Sequence, residues 1–293
     1  MIEIKNLSFA YDDKKVYENA DFTIGDGKIC GLIGINGAGK STLLRIMAGC
    51  YLPNSGDVLY DGKSSSDYRT RKDIFFLSDD PYYTNHFDCR KLADLYKTFY
   101  KNFSKKKFYD LCRESNLPMR KSLSKFSKGM RRKAFINAAV AVGPKYLLMD
   151  EVFDGLDPLA KVQFKNIIKN MVKEHGTTVF VASHSIKEVG GFCDEFAVVD
   201  KTTIKKSEDY NDSEYEYNKF RMAYKNIPDK AVFEKDNIIS CEIEGRFVTV
   251  ICKGNEEESE NYIMSTAPVV MDKVEFNLEE LFMINNGMED ENV

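Results

Sequence analysis

The chain of 293 residues lacks several features that mark common protein classes. It has no apolar run near the ~18 residues that a membrane-spanning helix needs. Its first ten residues alternate like a strand, unlike a signal peptide. Seven cysteines without a CxxC pair and three dispersed histidines indicate neither a zinc site nor a disulfide framework. The formal net charge of -4 argues against a dedicated nucleic-acid binder. We therefore expect a cytoplasmic globular protein without a metal cluster.

What is present is an alternation of strand and helix patterns over residues 1–200. Buried-strand patterns recur between helical ones, which predicts an α/β fold with a mainly parallel sheet covered on both faces. Helical periodicity dominates from about 88 to 142 and returns between residues 151 and 177. The predicted strands are IEIKNLSFAY, DFTI, KICGLIG, GDVLYDG, DIFFLS, KYLLMDE, TTVFVASH and EFAVVD.

The composition changes after Asp200, which predicts a separate domain over 201–293. The stretch KKSEDYNDSEYEYNKF is polar and charge-rich, typical of a linker or a solvated helix. NIISCEIEGRFVTVICKGN reads as two strands around Glu244 and Gly245, and NLEELFMINN as a final helix. We expect a small α+β accessory domain.

A glycine-rich loop lies between a predicted strand and a predicted helix. Residues 34–41 read GINGAGKS, which fits the pattern G-x-x-x-x-G-K-[ST]. In such a loop the backbone N–H groups wrap a triphosphate, the lysine spans two phosphates and the hydroxyl takes a Mg²⁺ position. The strand-loop-helix context predicts nucleotide binding.

Two acids follow a buried strand at Asp150 and Glu151. The strand fixes Asp150 near the phosphate loop, where it can hold the Mg²⁺ shell. Glu151 faces a different direction and could orient and deprotonate an attacking water. Such pairs are common on surfaces, so the interpretation depends on the nearby lysine loop.

The octapeptide FSKGMRRK at 126–133 has four basic residues at the start of a predicted helix. It could be a nucleic-acid patch, a solvated face or a phosphate-holding device. No aromatic platform accompanies it, which disfavours nucleic acid. Free N–H groups at a helix start, together with the helix dipole, make an anion site there.

These motifs resemble those of ABC-transporter ATPase subunits. Residues 34–42, FSKGM, LLMDE at 147–151, GLDP at 155–158 and SH at 183–184 occur in that family's order and spacing. The form SKGM and the closing NLEELF are similar to ABC-2 antibiotic and drug exporters. The resemblance covers 1–200 and implies a P-loop ABC-type ATPase fold: a mainly parallel core sheet, an antiparallel β edge and a helical signature subdomain at about 82–143.

The resemblance also implies roles for individual residues. Ser127 and Gly129 would contact the γ-phosphate held by the other subunit, and Tyr11 would stack on adenine unless it is a core or edge tyrosine. The implied catalytic residues are Glu151, His184 and Lys40. The implied Mg²⁺ ligands are Ser41, Asp150 and Asp79. The implied ATP contacts are Tyr11, Gly34, Asn36, Gly37, Ala38, Gly39, Lys40, Ser41, Thr42, Ser127, Gly129 and Asp157.

The sequence departs from the family at DIFFLSDDPYY. Asp79 falls where members carry a glutamine, so it could face Mg²⁺ as a hard oxygen ligand, or simply cap a helix in a shifted loop. Tyr82, Tyr83 and Phe87 follow and could form a groove for a permease helix or belong to the core of the helical subdomain.

The function implied by the resemblance is an ATP-binding and hydrolysing subunit of an exporter. Two cassettes, identical or paralogous, would close head to tail on ATP and drive a separate membrane permease at the cytoplasmic face of the membrane. A nucleic-acid partner is not expected. The alternatives are a soluble ABC-type ATPase not coupled to transport and a binding module that responds to ATP without hydrolysis.

Overall fold

A computed structural model describes residues 1–207, 217–226, 229–276 and 280. The chain forms two compact units, Met1–Ser207 and Glu208–Val293. Within these described ranges, no helix combines the length and apolar content needed to cross a membrane.

The first unit contains ten strands and six α-helices among its described residues. Its strands are β1 (Ile2–Tyr11), β2 (Lys14–Ile24), β3 (Ile29–Ile33), β4 (Ser55–Tyr60), β5 (Lys63–Ser64), β6 (Ile74–Leu77), β7 (Tyr146–Asp150), β8 (Thr178–Ala182), β9 (Glu195–Asp200) and β10 (Thr203–Lys206). Its helices are α1 (Lys40–Met47), α2 (Cys89–Phe99), α3 (Lys105–Glu114), α4 (Lys128–Val142), α5 (Pro158–His175) and α6 (Ile186–Val189).

A six-stranded sheet forms the centre of this unit, in the order β10-β9-β3-β8-β7-β6. All neighbours pair in parallel except β10, which runs antiparallel to β9. Every residue of β3, β7 and β8 is buried, as expected for parallel strands covered on both faces. The predicted mainly parallel core sheet is confirmed.

Helix α1 lies between the central sheet and a second, antiparallel sheet of order β2-β1-β4-β5. Leu43 and Leu44 of α1 share one buried cluster with Val58 of the antiparallel sheet and with Leu148 and Phe180 of the central sheet. The neighbouring residues of β7, Leu147 and Met149, point into the cluster on the other face. This alternation fixes both layers against the central strands.

Helices α2, α3 and α4 cover that other face, in agreement with the helical periodicity predicted there. Each begins at a side-chain cap: Asp88 accepts from Lys91 N, Ser104 from Lys107 N, and Ser127 from Met130 N. Such caps satisfy N–H groups that a helix start leaves unpaired. Gly143, with a φ of 58°, ends α4 in a left-handed conformation.

Among its described residues the second unit contains β11 (Tyr217–Ala223), β12 (Ile238–Glu244), β13 (Phe247–Lys253), α7 (Glu256–Ser265) and β14 (Val270–Lys273). Its strands form an antiparallel sheet of order β12-β13-β11-β14. The predicted strand pair is present as β12 and β13, and Gly245 begins the turn between them with a φ of 61°. Phe220, Val248 and Val250 lie in its buried core, against Ile263 of α7.

The prediction of a linker or a solvated helix over residues 205–220 is partly wrong. The first two residues of this stretch belong to β10 and its last four to β11. Backbone pairing with β9 and β13 outweighs the polar composition at these edges. Residues 208–216 and the predicted helix NLEELFMINN, apart from Glu280, lie outside the described residues.

Candidate functional site

The glycine-rich loop connects β3 to the first residue of α1. Gly39 precedes the helix with a φ of 107°, and an added Cβ there would lie 2.6 Å from Val16 Cγ1. Gly37 also has a positive φ, of 81°. No side chain among the described residues caps α1, so the first N–H groups of this helix are available to an anion.

Lys40 lies almost completely inside the loop, with 6% of its surface exposed. Its Nζ donates to the carbonyl oxygens of Gly34 at 2.6 Å and Ile35 at 3.1 Å. Burial lowers the pKa of the ammonium, and the Glu151 and Asp150 carboxylates oppose this. A phosphate group entering the loop would give this cation a full counter-charge.

Ser41 and Asp150 meet across the boundary between α1 and β7. Ser41 Oγ donates to Asp150 Oδ1 at 3.0 Å, and Asp150 is 1% exposed. Burial is the main cause that raises the pKa of the Asp150 carboxyl, and the hydroxyl of Ser41 works against it. A hydroxyl and a carboxylate beside a phosphate loop are hard oxygen donors, so they fit a Mg²⁺ ion.

Glu151 and His184 form a pair just beyond the ends of β7 and β8. Glu151 Oε2 lies 2.9 Å from His184 Nδ1 and also accepts from the His184 backbone N–H at 3.3 Å. Glu151 has a φ of 47°, and its own N–H donates to Ala182 O at 3.1 Å. The side chains are 19% and 48% exposed, so water can reach the pair.

The start of α4 contacts the loop that precedes α5. A Cβ added to Gly129 would lie 3.1 Å from Gly155 O, which shows how closely the two backbones approach. Asp157 caps α5 by accepting from Ala160 N at 2.8 Å, and this bond is the main cause that lowers the pKa of Asp157. Lys133 Nζ lies 3.8 Å from the Asp157 carboxylate.

Tyr11 lies at the edge of an aromatic cluster beside α1. Its hydroxyl is 3.2 Å from Thr42 Oγ1, and its ring packs edge-on against Phe9 and Tyr51 at centroid distances of 5.0 and 6.1 Å. Since 43% of Tyr11 is exposed, it is not a core tyrosine, and its stacking on adenine stays a prediction.

Asp79 follows β6 and makes an ion pair. Its Oδ1 accepts from Arg132 Nη2 at 2.7 Å, and its side chain is 51% exposed. The alternative that Asp79 caps the next helix is wrong, because Asp88 caps α2. Its Mg²⁺-facing role stays a prediction.

The three aromatic residues after Asp79 do not act as one group. Tyr82 is 78% exposed, whereas Tyr83 and Phe87 pack against the core of the helical layer. Tyr83 also lies under the Arg131 guanidinium, 5.6 Å from ring centroid to Cζ. Only Tyr82 keeps the exposed aromatic surface that a permease groove would need.

Arg132 is a further site residue that the charge pattern of 126–133 does not single out. Arg132 is 3% exposed and contacts Ser78 O, the Asp79 carboxylate and Glu151 O. The helical register of α4 decides which basic side chain turns inward. Asp154 is another acid near the site that no motif marks: it has a carboxylate oxygen within 4.8 Å of a ligand atom of Glu151 and of His184.

The glycine-rich loop before α1, the buried lysine and the paired carboxylates at the end of β7 define a P-loop nucleotide-binding protein. Comparison with known proteins then gives the family. The model of the family "ABC transporter" matches residues 17–154. The chain carries an ATP-binding domain of the ABC transporter family, as its motifs predict, and its enzymatic class is that of an ABC ATPase.

Relatives and solved structures agree with this assignment. The chain is 27% identical over 289 residues to the ABC transporter ATP-binding protein YtrB of Bacillus subtilis (strain 168), an alignment that covers 98% of each chain. It is 29% identical over 218 residues to the lantibiotic transport ATP-binding protein SrtF of Streptococcus pyogenes, covering 73% of this chain and 93% of that one. A solved ATP-binding subunit of an ABC transporter matches with a TM-score of 0.66 and 26% identity, over 72% of this chain and 92% of that chain.

The relatives include proteins named for import as well. One is a methionine import ATP-binding protein of Clostridium acetobutylicum, and another is a spermidine/putrescine import ATP-binding protein of Mesoplasma florum. The chain is therefore an ATP-binding subunit of an ABC transporter. Because its relatives include proteins named for import, the family does not decide the direction of transport.

Replacing Gly39 by alanine should weaken ATP binding at least about tenfold, because the loop must move to admit the Cβ. Gly62→Ala is the matched control: it also has a positive φ, of 76°, but nothing lies within 4 Å of an added Cβ. That control should cost about 1 kcal/mol of stability and leave ATP affinity unchanged. Isothermal titration with a non-hydrolysable ATP analogue measures both, and equal affinities for the two variants would contradict the loop's role.

Replacing Asp150 by asparagine should stabilise the nucleotide-free protein at neutral pH. Burial raises the pKa of this carboxyl in the folded state, so its ionisation costs folding free energy. The cost is absent below the unfolded pKa of about 3.9 and grows as the pH rises through the folded pKa. Urea unfolding should show a gain at pH 7.5 that shrinks towards pH 4, with exposed Asp13→Asn as the control. A gain that does not depend on pH would contradict the burial argument.

Proposed function

We propose that the chain is the ATP-binding and hydrolysing subunit of an exporter, acting at the cytoplasmic face of a membrane on a separate permease. The observation that carries this proposal is the convergence of two pairs, Ser41 with Asp150 and Glu151 with His184, beside the buried Lys40. Ser41 and Asp150 suit a bound cation, whereas Glu151 and His184 suit a reacting water. Both pairs lie beside the phosphate loop.

ATP would lie across the start of α1 with its phosphates in the loop. Lys40 would exchange the carbonyls of Gly34 and Ile35 for phosphate oxygens, which are stronger acceptors because they are charged. The exposed ring of Tyr11 would stack on the base. The remaining loop contacts would come from backbone N–H groups and hydroxyls of Asn36, Gly37, Ala38, Gly39, Ser41 and Thr42.

Ser41 and Asp150 would hold a Mg²⁺ ion, with Asp79 as a further carboxylate near it. The bound ion would neutralise charge on the phosphate oxygens. Asp150 is already buried and hydrogen-bonded, so its position would not depend on the ion.

Glu151 would take a proton from the water that attacks the γ-phosphorus. The new oxygen–phosphorus bond forms as the bond to the ADP oxygen breaks, giving ADP and phosphate. His184 Nδ1 lies 2.9 Å from Glu151 Oε2 and would orient the base, and with both ring nitrogens protonated its Nε2 would donate to the γ-phosphate. Lys40 would stabilise the charge that builds on the phosphoryl oxygens.

The start of α4 would complete the site of a second cassette, identical or paralogous. Ser127 and Gly129 open the helix, and its dipole together with Lys128 favours an anion there. Head-to-tail closure would bring this surface to the γ-phosphate bound by the partner subunit. Asp157, which caps α5, would couple the two sites of the closed dimer through its ion pair with Lys133 of α4.

Removing the base should separate binding from hydrolysis. Glu151→Gln should lower the ATPase rate by roughly 100-fold or more while ATP binding persists. With Mg-ATP, light scattering should then detect a dimer trapped before hydrolysis. Glu114→Gln, the same chemical change at an exposed position on α3, should keep the wild-type rate.

An unchanged rate in Glu151→Gln would exclude this residue as the base. A variant that binds ATP but stays monomeric would mean that closure needs the permease or a different cassette.

Export rather than import is favoured by the FSKGM signature, which resembles that of antibiotic and drug exporters, and by the relative named for lantibiotic transport. Vesicles containing the permease with this chain on their outer side test the direction. We expect ATP-dependent accumulation of a fluorescent amphipathic peptide in the lumen, absent with Glu151→Gln. ATP-dependent release of preloaded substrate would instead assign the chain to an importer.

A further inference from the structure

Arg132 is a buried arginine whose guanidinium joins three parts of the first unit. It projects from α4 and is 3% exposed. Nη1 donates to Ser78 O at 3.0 Å, and Nη2 donates to Asp79 Oδ1 at 2.7 Å and to Glu151 O at 3.2 Å. The Arg132 guanidinium therefore joins helix α4 to the loop after β6 and to the residue after β7.

The position of this cation follows from the sheet. β6 and β7 are adjacent parallel strands with Leu77 opposite Met149, so the residues that follow them emerge side by side. A planar guanidinium offers several N–H donors in a fixed fork, which can meet two carbonyls and a carboxylate at once. A lysine ammonium is a point donor on a flexible stem and lacks this fork.

The contact with Glu151 acts on a backbone conformation that needs support. A φ of 47° is unfavourable for a residue with a Cβ and persists only when its surroundings hold it. Ala182 O accepts the Glu151 N–H, and Arg132 donates to the Glu151 carbonyl oxygen. Because the side-chain direction follows the backbone, these two bonds aim the carboxylate at His184.

The contact with Asp79 supplies the counter-charge that a buried guanidinium requires. Within the described residues, Asp79 is the carboxylate in ion-pair distance of Arg132. Its side chain is half exposed, so it can be drawn away by a cation or by solvent. Any movement of Asp79 would weaken the hold on Arg132 and, through it, on the backbone of Glu151.

We propose that Arg132 is a positioning residue that sets the backbone of Glu151, and that Asp79 controls it through their ion pair. This inference rests on the proposed role of Glu151 as the base. Through its hydrogen bonds to Ser78 O, the Asp79 carboxylate and Glu151 O, Arg132 links the loop after β6 to the hydrolytic site. The charge pattern of the sequence does not reveal these contacts.

The first test separates turnover from nucleotide binding. Arg132→Lys keeps the charge but loses the fork, so kcat should fall roughly tenfold, the loss of about one hydrogen bond to a charged group. Affinity for a non-hydrolysable ATP analogue should stay within about twofold. Arg113→Gln, which removes an exposed ion-paired arginine from α3, should keep both quantities.

The second test restores the missing group. A cavity of about 270 Å³ is lined by Asp79, Lys128 and Arg132, so a small planar cation can reach this position. In Arg132→Ala, low concentrations of guanidinium should raise kcat, whereas the neutral isostere urea should not.

A third test compares single and double variants. In an Asp79→Asn background, Arg132→Lys should lower kcat less than it does in the wild-type background, because the two residues act as one unit.

Three results would overturn the proposal: a wild-type kcat in Arg132→Lys, equal losses of ATP affinity and turnover, or no response of Arg132→Ala to guanidinium. If Arg132→Ala fails to fold, the kcat and affinity of Arg132→Lys decide alone. Failure of the proposed function is a separate result, since it would appear as full turnover in Glu151→Gln or as a wild-type chain that does not hydrolyse ATP.

Discussion

The candidate site depends on the register of three buried parallel strands. Leu32 of β3 and Asp150 of β7 both lie opposite Ala182 of β8, so the three strands end at the same edge of the sheet. The phosphate loop, Asp150, Glu151 and His184 lie at these strand ends or within two residues of them. A shift of one residue in any strand would turn its side chains to the opposite face and separate the groups.

Local sequence patterns were sufficient to predict the residues that this register brings together. The glycines and lysine of the loop, the acids after an apolar strand and the histidine after ASH each have a pattern within a few residues. The contacts of Arg132 could not be predicted this way, because its partners at Ser78 and Glu151 are 54 and 19 residues away in sequence. They depend on the register of α4 against two strands.

Composition was least informative where backbone pairing decides the structure. The polar residues of β10 and β11 resemble a linker, yet antiparallel partners order them as strands. The second unit shows the same effect, since β12 carries two exposed glutamates at its end and still completes a sheet over a small apolar core. The relative from Bacillus subtilis aligns over 98% of this chain, so its similarity includes this unit.

In the proposed dimer, Lys40 of one chain and Ser127 of the other bind the same ATP. The most direct measurement is a crystal structure of Glu151→Gln with Mg²⁺ and ATP. We expect a head-to-tail dimer in which Ser127 of the partner subunit contacts the γ-phosphate held by the Lys40 loop. ATP bound within a single chain, with Ser127 of every copy facing solvent, would contradict it.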